Sequence, residues 1–334
     1  MRMLRGGVSR IKGAVKKNQW LLMAYLIVSE HLYALRYTLG WVGSGSGMAH
    51  ARSDVQESID YIDEVYGDYL AYAGISKPFG SVAEVGPGDS CGVAMRFMAD
   101  GCEKVDLVDR FYTKRDPLYH SRVYEVLLSK YPELAQQWGA SDLKDEQTFP
   151  NVSRYYGPDA ASEKFFHVPD SYDFIVSRAV LEHVQDPVLS LKNMITALRP
   201  GGWMLHKVDL RDHGMFTPEW HELKFLEIPE WIYRRMVHWS GRPNRRLIDV
   251  YRNVLSQSDC EWRILVTRLA GVGPIEPHQE YANIPESMRV SALGYVRSIK
   301  KDVCAALHDV SDADLSVAGL FLVVHKPKAE PSVA

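Results

Sequence analysis

The sequence predicts a doubly wound α/β fold, and three consecutive segments carry this prediction. Residues 82–85 are a short run of β-branched or small residues bounded by turn formers, which is typical of a buried strand. Gly86 and Gly88 follow, and apolar residues then recur at helical spacing over residues 91–99. A second apolar strand spans residues 105–109 and ends in an acid. A strand, a glycine turn, a helix and a second strand form the repeating unit of such sheets.

The same segments indicate a nucleoside-like ligand. Gly86 and Gly88 lack a Cβ atom, so the backbone of the turn can approach a ligand closely. Asp109 stands at the carboxyl end of its strand, where doubly wound folds bind ligands and where an acid can accept hydrogen bonds from ribose hydroxyls.

Details of the turn favour S-adenosylmethionine over a dinucleotide. A dinucleotide fingerprint expects its third glycine at position 91, but the sequence has Cys91 followed by Gly92. Glu84 would place a negative charge near a pyrophosphate, whereas it suits a ligand that carries an ammonium group.

Later segments carry a family resemblance. Residues 173–177 read Asp-Phe-Ile-Val-Ser, residues 181–184 read Leu-Glu-His-Val, and residues 198–202 read Leu-Arg-Pro-Gly-Gly. Together with the glycine turn, and in this order, they resemble class I S-adenosylmethionine-dependent methyltransferases, in particular those that act on small molecules or belong to glycan clusters.

The resemblance implies a Rossmann-like, mostly parallel sheet of seven strands, an antiparallel last strand and S-adenosylmethionine as the cofactor. Asp159 matches the acid that receives the adenine amino group in the family, although an aspartate beside Pro158 is also typical of a turn. The implied cofactor-binding residues are Glu84, Gly86, Gly88, Asp109, Asp159 and Ser177.

Apolar periodicity and turn signals place the remaining elements. We expect helices over residues 51–73, 121–138, 187–198 and 285–307, with a short helical turn at 179–184. We expect further strands over residues 152–156, 172–178, 204–210, 262–269 and 316–325.

Candidate catalytic residues follow two of these strands. The fifth strand runs into Asp209-Leu210-Arg211-Asp212-His213, and His183 follows the fourth. Since catalytic groups gather at the carboxyl ends of parallel strands, we predict that His213, Asp212 and His183 are catalytic, with a histidine as general base. Arg211 could instead pair with Asp212 while His213 caps a loop. A divalent metal among Asp209, Asp212 and His213 is an alternative that the spacing does not require, and we predict none.

Two segments extend the predicted core. Residues 211–260 are rich in tryptophan, tyrosine and arginine, which suits either a lid over a small-molecule or glycan substrate or a plain helical subdomain. Residues 1–47 form a basic and apolar helical extension that ends in a glycine- and serine-rich linker. Its apolar run is too short to span a bilayer. It either packs on the protein or a partner, or makes peripheral membrane contact through residues 1–39.

The sequence predicts five consecutive segments: an extension over residues 1–47, the methyltransferase core over 48–210, the lid over 211–260, the closing strands over 261–328 and a tail over 329–334.

Composition limits the partners. A net charge of −3 gives no reason to expect nucleic acid. The four cysteines lack metal spacing, which predicts a cytoplasmic protein with reduced thiols. The oligomeric state is not indicated.

The predicted function is therefore transfer of a methyl group from S-adenosylmethionine to a small molecule or glycan, at oxygen. Two alternatives stay open: an NAD(P)-dependent oxidoreductase on the same sheet, and a non-catalytic module that binds S-adenosylmethionine. Glu84 and the position of Gly92 oppose the oxidoreductase.

Overall fold

The computed structural model of the chain describes residues 17–41, 43–44, 54–138 and 142–328. The strands, numbered along the chain, are β1 Gly43–Ser44, β2 Ser81–Val85, β3 Lys104–Asp109, β4 Tyr112–Thr113, β5 Val152–Tyr156, β6 Tyr172–Arg178, β7 Leu198–Asp209, β8 Glu261–Leu269, β9 Gly273–Gln279 and β10 Val317–His325.

The α-helices are α1 Gln19–Thr38, α2 Val55–Ala73, α3 Gly92–Ala99, α4 Pro117–Lys130, α5 Pro132–Trp138, α6 Ser162–Phe165, α7 Pro187–Ala197, α8 Glu230–Val237, α9 Ile248–Leu255, α10 Glu286–Ile299 and α11 Asp312–Ser316. Short 3₁₀ turns cover Glu146–Thr148, Pro158–Ala160, Lys224–Glu227, Tyr281–Asn283, Lys300–Asp302 and Ala305–Leu307.

One mixed sheet forms the centre of the fold, with the strand order β5-β3-β2-β6-β7-β10-β8-β9. Strands β5, β3, β2, β6 and β7 are parallel, and β10 runs antiparallel to both β7 and β8. This confirms the Rossmann-like sheet and its antiparallel last strand. The sheet has eight strands rather than seven because β9 adds a hairpin to β8.

Both faces of the sheet are covered by helices. Side chains such as Val82 and Phe174 pack with α2, α3 and α4, while the alternate residues Ala83 and Ile175 pack with α7, α9 and α10. Because successive strand residues point to opposite faces, a sheet that is covered on both sides needs continuous apolar strands. The predicted strand at 82–85 has this composition.

Several predicted helix boundaries were wrong. The helix expected over 121–138 is broken between α4 and α5, where Pro132 cannot continue the helical hydrogen bonding. Residues 179–184 form turns rather than helix, and Ala179 has a positive φ of 55°. The helix expected over 285–307 ends at Ile299 and is followed by 3₁₀ turns. The strand expected over 204–210 begins earlier, at Leu198.

The N-terminal helix α1 packs on the segment predicted as a lid. Leu22 and Leu26 enter a cluster of buried side chains with Phe225 and Met236. Glu30 is buried and accepts a hydrogen bond from Arg242 at 2.8 Å. Residues 1–16 of the basic extension and residues 45–47 of the predicted linker lie outside the described residues. Among the described residues, no helix combines the length and apolar character needed to cross a bilayer.

Candidate active site

The glycine turn lies at the carboxyl end of β2, with β3 and β6 on either side. Val85 pairs with Val108 on one flank and with Ser177 on the other. The amide of Gly86 donates to the carbonyl of Val108 at 2.8 Å. From β2 the chain continues to β3 and β5 on one side and then returns to β6 on the other side. This reversal of strand order makes the end of β2 the topological switch point where such sheets bind ligands.

Only glycine fits at position 86. Gly86 has a φ of 71°, which side chains rarely adopt, and a Cβ atom there would lie 2.3 Å from Cγ2 of Val180. Gly88 also has a positive φ, of 63°. The turn is thus a tight backbone cradle, and Val180, which follows β6, packs against it.

Asp109 closes β3 beside this cradle. Its Oδ1 accepts a hydrogen bond from the amide of Phe111 at 2.8 Å, which fixes the carboxylate. Burial raises the pKa of Asp109 to about 6, against the hydrogen bond from Phe111 and the charge of Arg154, which lower it. The carboxylate is therefore charged at neutral pH and can accept hydrogen bonds.

Glu84 is a buried acid beneath the turn. Its Oε2 has no hydrogen-bond partner within the part of the chain that the structure describes. Burial raises the pKa of Glu84 to about 8, although Arg115 and Arg154 act to lower it. The unpartnered side chain is therefore mostly protonated at neutral pH, and an ammonium group of a ligand would stabilise its charged form.

Arginines that the sequence analysis missed support the turn from the sheet edge. Arg154 of β5 donates to the carbonyl of Gly88 at 3.1 Å, and Arg115 pairs with Glu146. A cavity of about 910 Å³ opens beside them, lined in part by Tyr112 and Tyr156. Both arginines lie far from the glycine turn in sequence, and no motif marks them.

A second group of polar side chains gathers at the ends of β6 and β7. The Nε2 atom of His213 lies 3.6 Å from Glu182 Oε1 and 3.7 Å from Asp209 Oδ2. The ring of His183 meets that of His213 edge-on, with centroids 4.6 Å apart. The structure therefore brings His183 and His213 together, as the sequence predicted, and adds the buried acid Glu182, which the sequence analysis did not single out.

Asp212 does not take the place expected for it. Its buried carboxylate accepts hydrogen bonds from the amides of Gly214, Phe216 and Thr217 and from the Thr217 hydroxyl, at 2.7–3.0 Å. These bonds hold the loop after β7. Glu182 and Asp209 are the acids that face His213, and Asp212 positions the loop that carries it. Arg211 pairs with Asp209 rather than with Asp212.

Two predicted cofactor residues lie at the edges of the site. The hydroxyl of Ser177 is buried and bonded to Nδ1 of His206 at 2.7 Å, so it joins two strands of the sheet. Asp159 is exposed on the 3₁₀ turn that follows β5. That turn begins at Gly157, whose amide donates to the carbonyl of Asp109 at 3.2 Å.

Comparison with known families decides between the classes of nucleoside-binding sheet. A family model described as a methyltransferase domain matches residues 59–254, which is more than half of the chain. The chain belongs to this family. It is accordingly an S-adenosylmethionine-dependent methyltransferase. This membership excludes the alternative of an NAD(P)-dependent oxidoreductase. No curated protein matches the sequence of this methyltransferase.

Solved structures resemble this methyltransferase only distantly. The YcgJ protein of Bacillus subtilis is 11% identical with a TM-score of 0.40, over 80% of this chain and 99% of its own. A methyltransferase of Mesorhizobium loti is 12% identical with a TM-score of 0.40, and the match covers 79% of this chain and 99% of that protein. Phosphoethanolamine N-methyltransferase 2 of Haemonchus contortus is 11% identical with a TM-score of 0.40, and the match covers 82% of this chain and 56% of that protein. These values assign no substrate, and the family assignment rests on the family model.

The cradle of the methyltransferase fits its cofactor. Gly86 and Gly88 form a turn at positive φ without Cβ atoms, Asp109 offers a charged acceptor for ribose hydroxyls, and Glu84 offers an unpartnered buried oxygen. S-adenosylmethionine supplies a methyl group on a positively charged sulfur, which is already activated for displacement. The protein therefore has to bind, align and exclude water.

Aromatic side chains from α1 cover the cofactor side of the methyltransferase. Tyr33 and Tyr37 meet the ring of Phe111 edge-on, with centroids 5.8 and 6.1 Å apart. The guanidinium of Arg110 lies over the Tyr37 ring at 4.9 Å. The amino-terminal helix thus closes over the loop that follows Asp109. No local sequence pattern predicts this contact, because it joins segments more than 70 residues apart.

Two arginines of the predicted lid hold the protein's own structure together. Arg245 is buried and donates to the carbonyls of Phe225 and Ile228, at 3.1 and 2.6 Å. Arg242 binds Glu30 of α1. These contacts hold the insertion together. Arg245 and Arg242 are therefore engaged within the protein and do not serve the substrate-binding role that the sequence suggested.

Asp109→Asn is expected to weaken binding of S-adenosylhomocysteine by on the order of 10- to 100-fold, the worth of hydrogen bonds to a charged group. Asparagine can still accept the hydrogen bond from Phe111, so the loop is retained. Because protonation removes the charge of Asp109 below pH about 6, the advantage of the wild type over the variant should shrink from pH 7 to pH 5. Calorimetric titration at several pH values measures both effects.

Asp170→Asn is the matched control, because Asp170 is an acid paired with Lys326 at the opposite edge of the sheet. It removes the same charge and should leave the affinity unchanged. Equal affinity of Asp109→Asn and the wild type would remove Asp109 from the site.

Proposed function

We propose that this methyltransferase transfers the methyl group to a hydroxyl oxygen of a small molecule or glycan. The observation that supports the oxygen is the convergence of His183, His213, Glu182 and Asp209 beside the cradle. A hydroxyl is a weak nucleophile until its proton is removed or its oxygen is polarised, and an imidazole next to carboxylates can do this near neutral pH. A nitrogen acceptor would need less help.

The proposed reaction moves one proton and one methyl group beside this cluster. The acceptor hydroxyl loses its proton at the cluster, a new bond forms between its oxygen and the methyl carbon, and the bond between that carbon and sulfur breaks. Sulfur keeps the electron pair and becomes neutral. Alignment of oxygen, carbon and sulfur by the site supplies most of the rate enhancement.

The test is a screen with a methyl-labelled donor. The full-length chain is incubated with candidate sugars, glycans, lipids and phenols, and products are read by mass spectrometry. The proposal expects the label on an oxygen of one acceptor class. Label found only on nitrogen or carbon would contradict it. Tight binding of the demethylated cofactor without any labelled product would favour a non-catalytic module.

The proposal places the enzyme in the reducing compartment of the cytosol. All four cysteines, Cys91, Cys102, Cys260 and Cys304, are free thiols. Free, mostly buried thiols are typical of proteins made in that compartment.

We also propose that α1 holds the enzyme at an anionic membrane surface. One face of α1 packs on the lid, and the opposite face exposes a row of apolar side chains at alternating spacings of four and three: Leu21, Tyr25, Val28, Leu32, Leu35 and Leu39. A helix that is apolar on both faces needs a second partner. Trp20 and Trp41, at the two ends of the row, are 73% and 66% exposed.

Charge favours lipid as that partner. Glu30 is the acid of α1, and it is buried against the lid. The preceding segment is basic, with Arg2, Arg5, Arg10, Lys12, Lys16 and Lys17 and no acid. Exposed Trp231 and Arg234 of α8 share a groove with His31 of α1. Apolar and aromatic residues beside cations are the pattern of interfacial helices on anionic lipid.

The double variant Leu32→Glu with Leu35→Glu is expected to lose binding to phosphatidylserine vesicles in a flotation assay, while the wild type binds them better than neutral vesicles. Leu189→Glu on α7 replaces another exposed leucine and should bind as the wild type does. Equal flotation of the double variant and the wild type would contradict the proposal. A wild-type protein that is a dimer in solution, together with a monomeric double variant, would also contradict the proposal, because the apolar face of α1 would then pair with a second copy of the chain.

A further inference from the structure

The histidine cluster has the donor set of a metal site. Glu182, His183 and His213 each offer one ligand atom, and these atoms all lie within 4.8 Å of one another. Two imidazoles and one carboxylate suit a divalent transition metal such as Mn²⁺, Co²⁺ or Zn²⁺ better than Ca²⁺. Three protein donors also leave coordination positions open, as in catalytic rather than structural sites.

The side chains of these groups lie too far apart to hydrogen-bond one another, and Nε2 of His213 makes one long contact, of 3.4 Å, with the backbone carbonyl of Asp209. His213 Nε2 lies 3.6 Å from Glu182 Oε1 and 3.7 Å from Asp209 Oδ2, and His183 Nε2 lies 4.0 Å from Glu182 Oε1. Elsewhere in the chain, His221 bonds Glu227 directly at 2.6 Å. The ligand atoms of Glu182, His183 and His213 lie within 4.8 Å of one another, whereas ligands about 2.1 Å from a tetrahedral ion stand roughly 3.4 Å apart, so side-chain movements of up to about 1.4 Å would close the site around an ion.

Glu182 supplies an independent sign of an absent partner. Its side chain is 98% buried, and only Oε1 accepts a hydrogen bond, from the amide of Asp209 at 3.2 Å. Its Oε2 is buried without a partner in the described part of the chain. A buried carboxylate that is half satisfied is destabilising, and a bound cation would compensate the charge.

The backbone aims these donors at one point. His213 has a positive φ of 49°, an uncommon conformation for a residue other than glycine, and the hydrogen bonds to Asp212 hold the turn in this shape. On the opposite loop, the side chain of Asn244 donates to the carbonyls on both sides of the Glu182–His183 pair, at 2.7 and 3.1 Å. Asp212 and Asn244 are thus positioning residues.

We propose that Glu182, His183 and His213 bind a divalent transition-metal ion at the acceptor side of the cradle, with Asp209 beside them. The role of the ion rests on the proposed function: it would hold the acceptor hydroxyl in an open coordination position and make it more acidic, and the proton would pass to solvent past the half-exposed His213. The ion would then replace direct contact between the imidazole and the hydroxyl.

The test measures ion binding directly, without an acceptor. The full-length chain is freed of metal with a chelator and titrated with Mn²⁺ or Co²⁺, by calorimetry and by the visible absorption of bound Co²⁺. We expect one ion per chain in the wild type. We expect binding to weaken roughly 10- to 100-fold or more in Glu182→Gln and His213→Asn, since loss of an outer-shell partner alone has an effect of that size.

His325→Asn is the matched control. His325 is half-buried like His213 and has one carboxylate partner, Glu261, but no second imidazole. It should bind the ion as the wild type does. Binding of S-adenosylhomocysteine by each variant reports that its fold is retained. The Co²⁺ spectrum of the wild type tests whether the chain binds the ion, even where a variant fails to fold.

No ion binding by the wild type, or equal binding by the wild type, Glu182→Gln and His213→Asn, would overturn the site. Full methyl transfer by the chelated enzyme would overturn the role of the ion and leave hydroxyl methylation standing. A bound ion in an enzyme that labels no hydroxyl would leave the metal site standing and remove the proposed acceptor.

Discussion

Gly86→Ala is expected to lower the affinity for S-adenosylhomocysteine by on the order of 10- to 100-fold. The added Cβ would lie 2.3 Å from Cγ2 and 3.1 Å from Cγ1 of Val180, so the turn or the residues after β6 must move. Overpacking of this kind costs roughly 1–3 kcal/mol, and here the displaced backbone is the surface that meets the cofactor. Calorimetric titration of the variant and the wild type measures the loss.

Gly74→Ala separates this clash from backbone strain. Gly74 ends α2 with a φ of 72°, against 71° for Gly86, and a Cβ there would meet no atom within 4 Å. Both variants therefore share the strain of a side chain at positive φ, but only Gly86→Ala crowds the cradle. The double variant Gly86→Ala with Val180→Ala should recover part of the affinity. Identical affinities of the two single variants would place the cofactor elsewhere.

His213→Asn is expected to lower turnover by roughly 100- to 10,000-fold, the usual contribution of a positioned acid–base group, without changing the affinity for S-adenosylhomocysteine. Asparagine tolerates the positive φ of 49° at this position better than most residues, so the loop is retained. Single-turnover kinetics with a labelled methyl donor, once an acceptor is identified, measures the chemical step.

The two outcomes of this variant separate positioning from chemistry. A fall in kcat at unchanged cofactor affinity supports a role at the acceptor. His325→Asn, at the far end of β10, should retain full turnover. Full activity of His213→Asn would remove the residue from the mechanism.

Local patterns predicted the half of the sheet that carries the glycine turn. Strands β2, β3 and β6 lie where apolar runs and turn formers placed them, because a strand covered on both faces is mostly apolar. The edge strand β5 also lies at its predicted place, although Ser153 and Arg154 interrupt its apolar pattern. Strand β9 was missed since Pro274 and Pro277 interrupt its pattern, and proline is rare in strands away from sheet edges. The break at Pro132 was visible in the sequence but was overlooked in favour of a continuous apolar period.

The acceptor side was harder to predict because it depends on contacts across the sequence. Asp212 and His213 are neighbours in the chain, yet Asp212 is bound by backbone amides of its own loop. The acids that face His213 are Asp209 and Glu182, which lies in the turn after β6. Adjacency in sequence therefore did not predict which acids face His213. The cover that Tyr33 and Tyr37 form over Phe111 likewise has no local signal.

The account depends on the cradle formed by Glu84, Gly86, Gly88 and Asp109 holding S-adenosylmethionine. The most direct measurement is a calorimetric titration of the full-length chain with S-adenosylhomocysteine and, separately, with NAD. We expect one molecule of S-adenosylhomocysteine per chain, with its affinity reduced in Gly86→Ala and Asp109→Asn, and no binding of NAD. Binding of NAD alone, or of S-adenosylhomocysteine with the same affinity in all three proteins, would contradict the account.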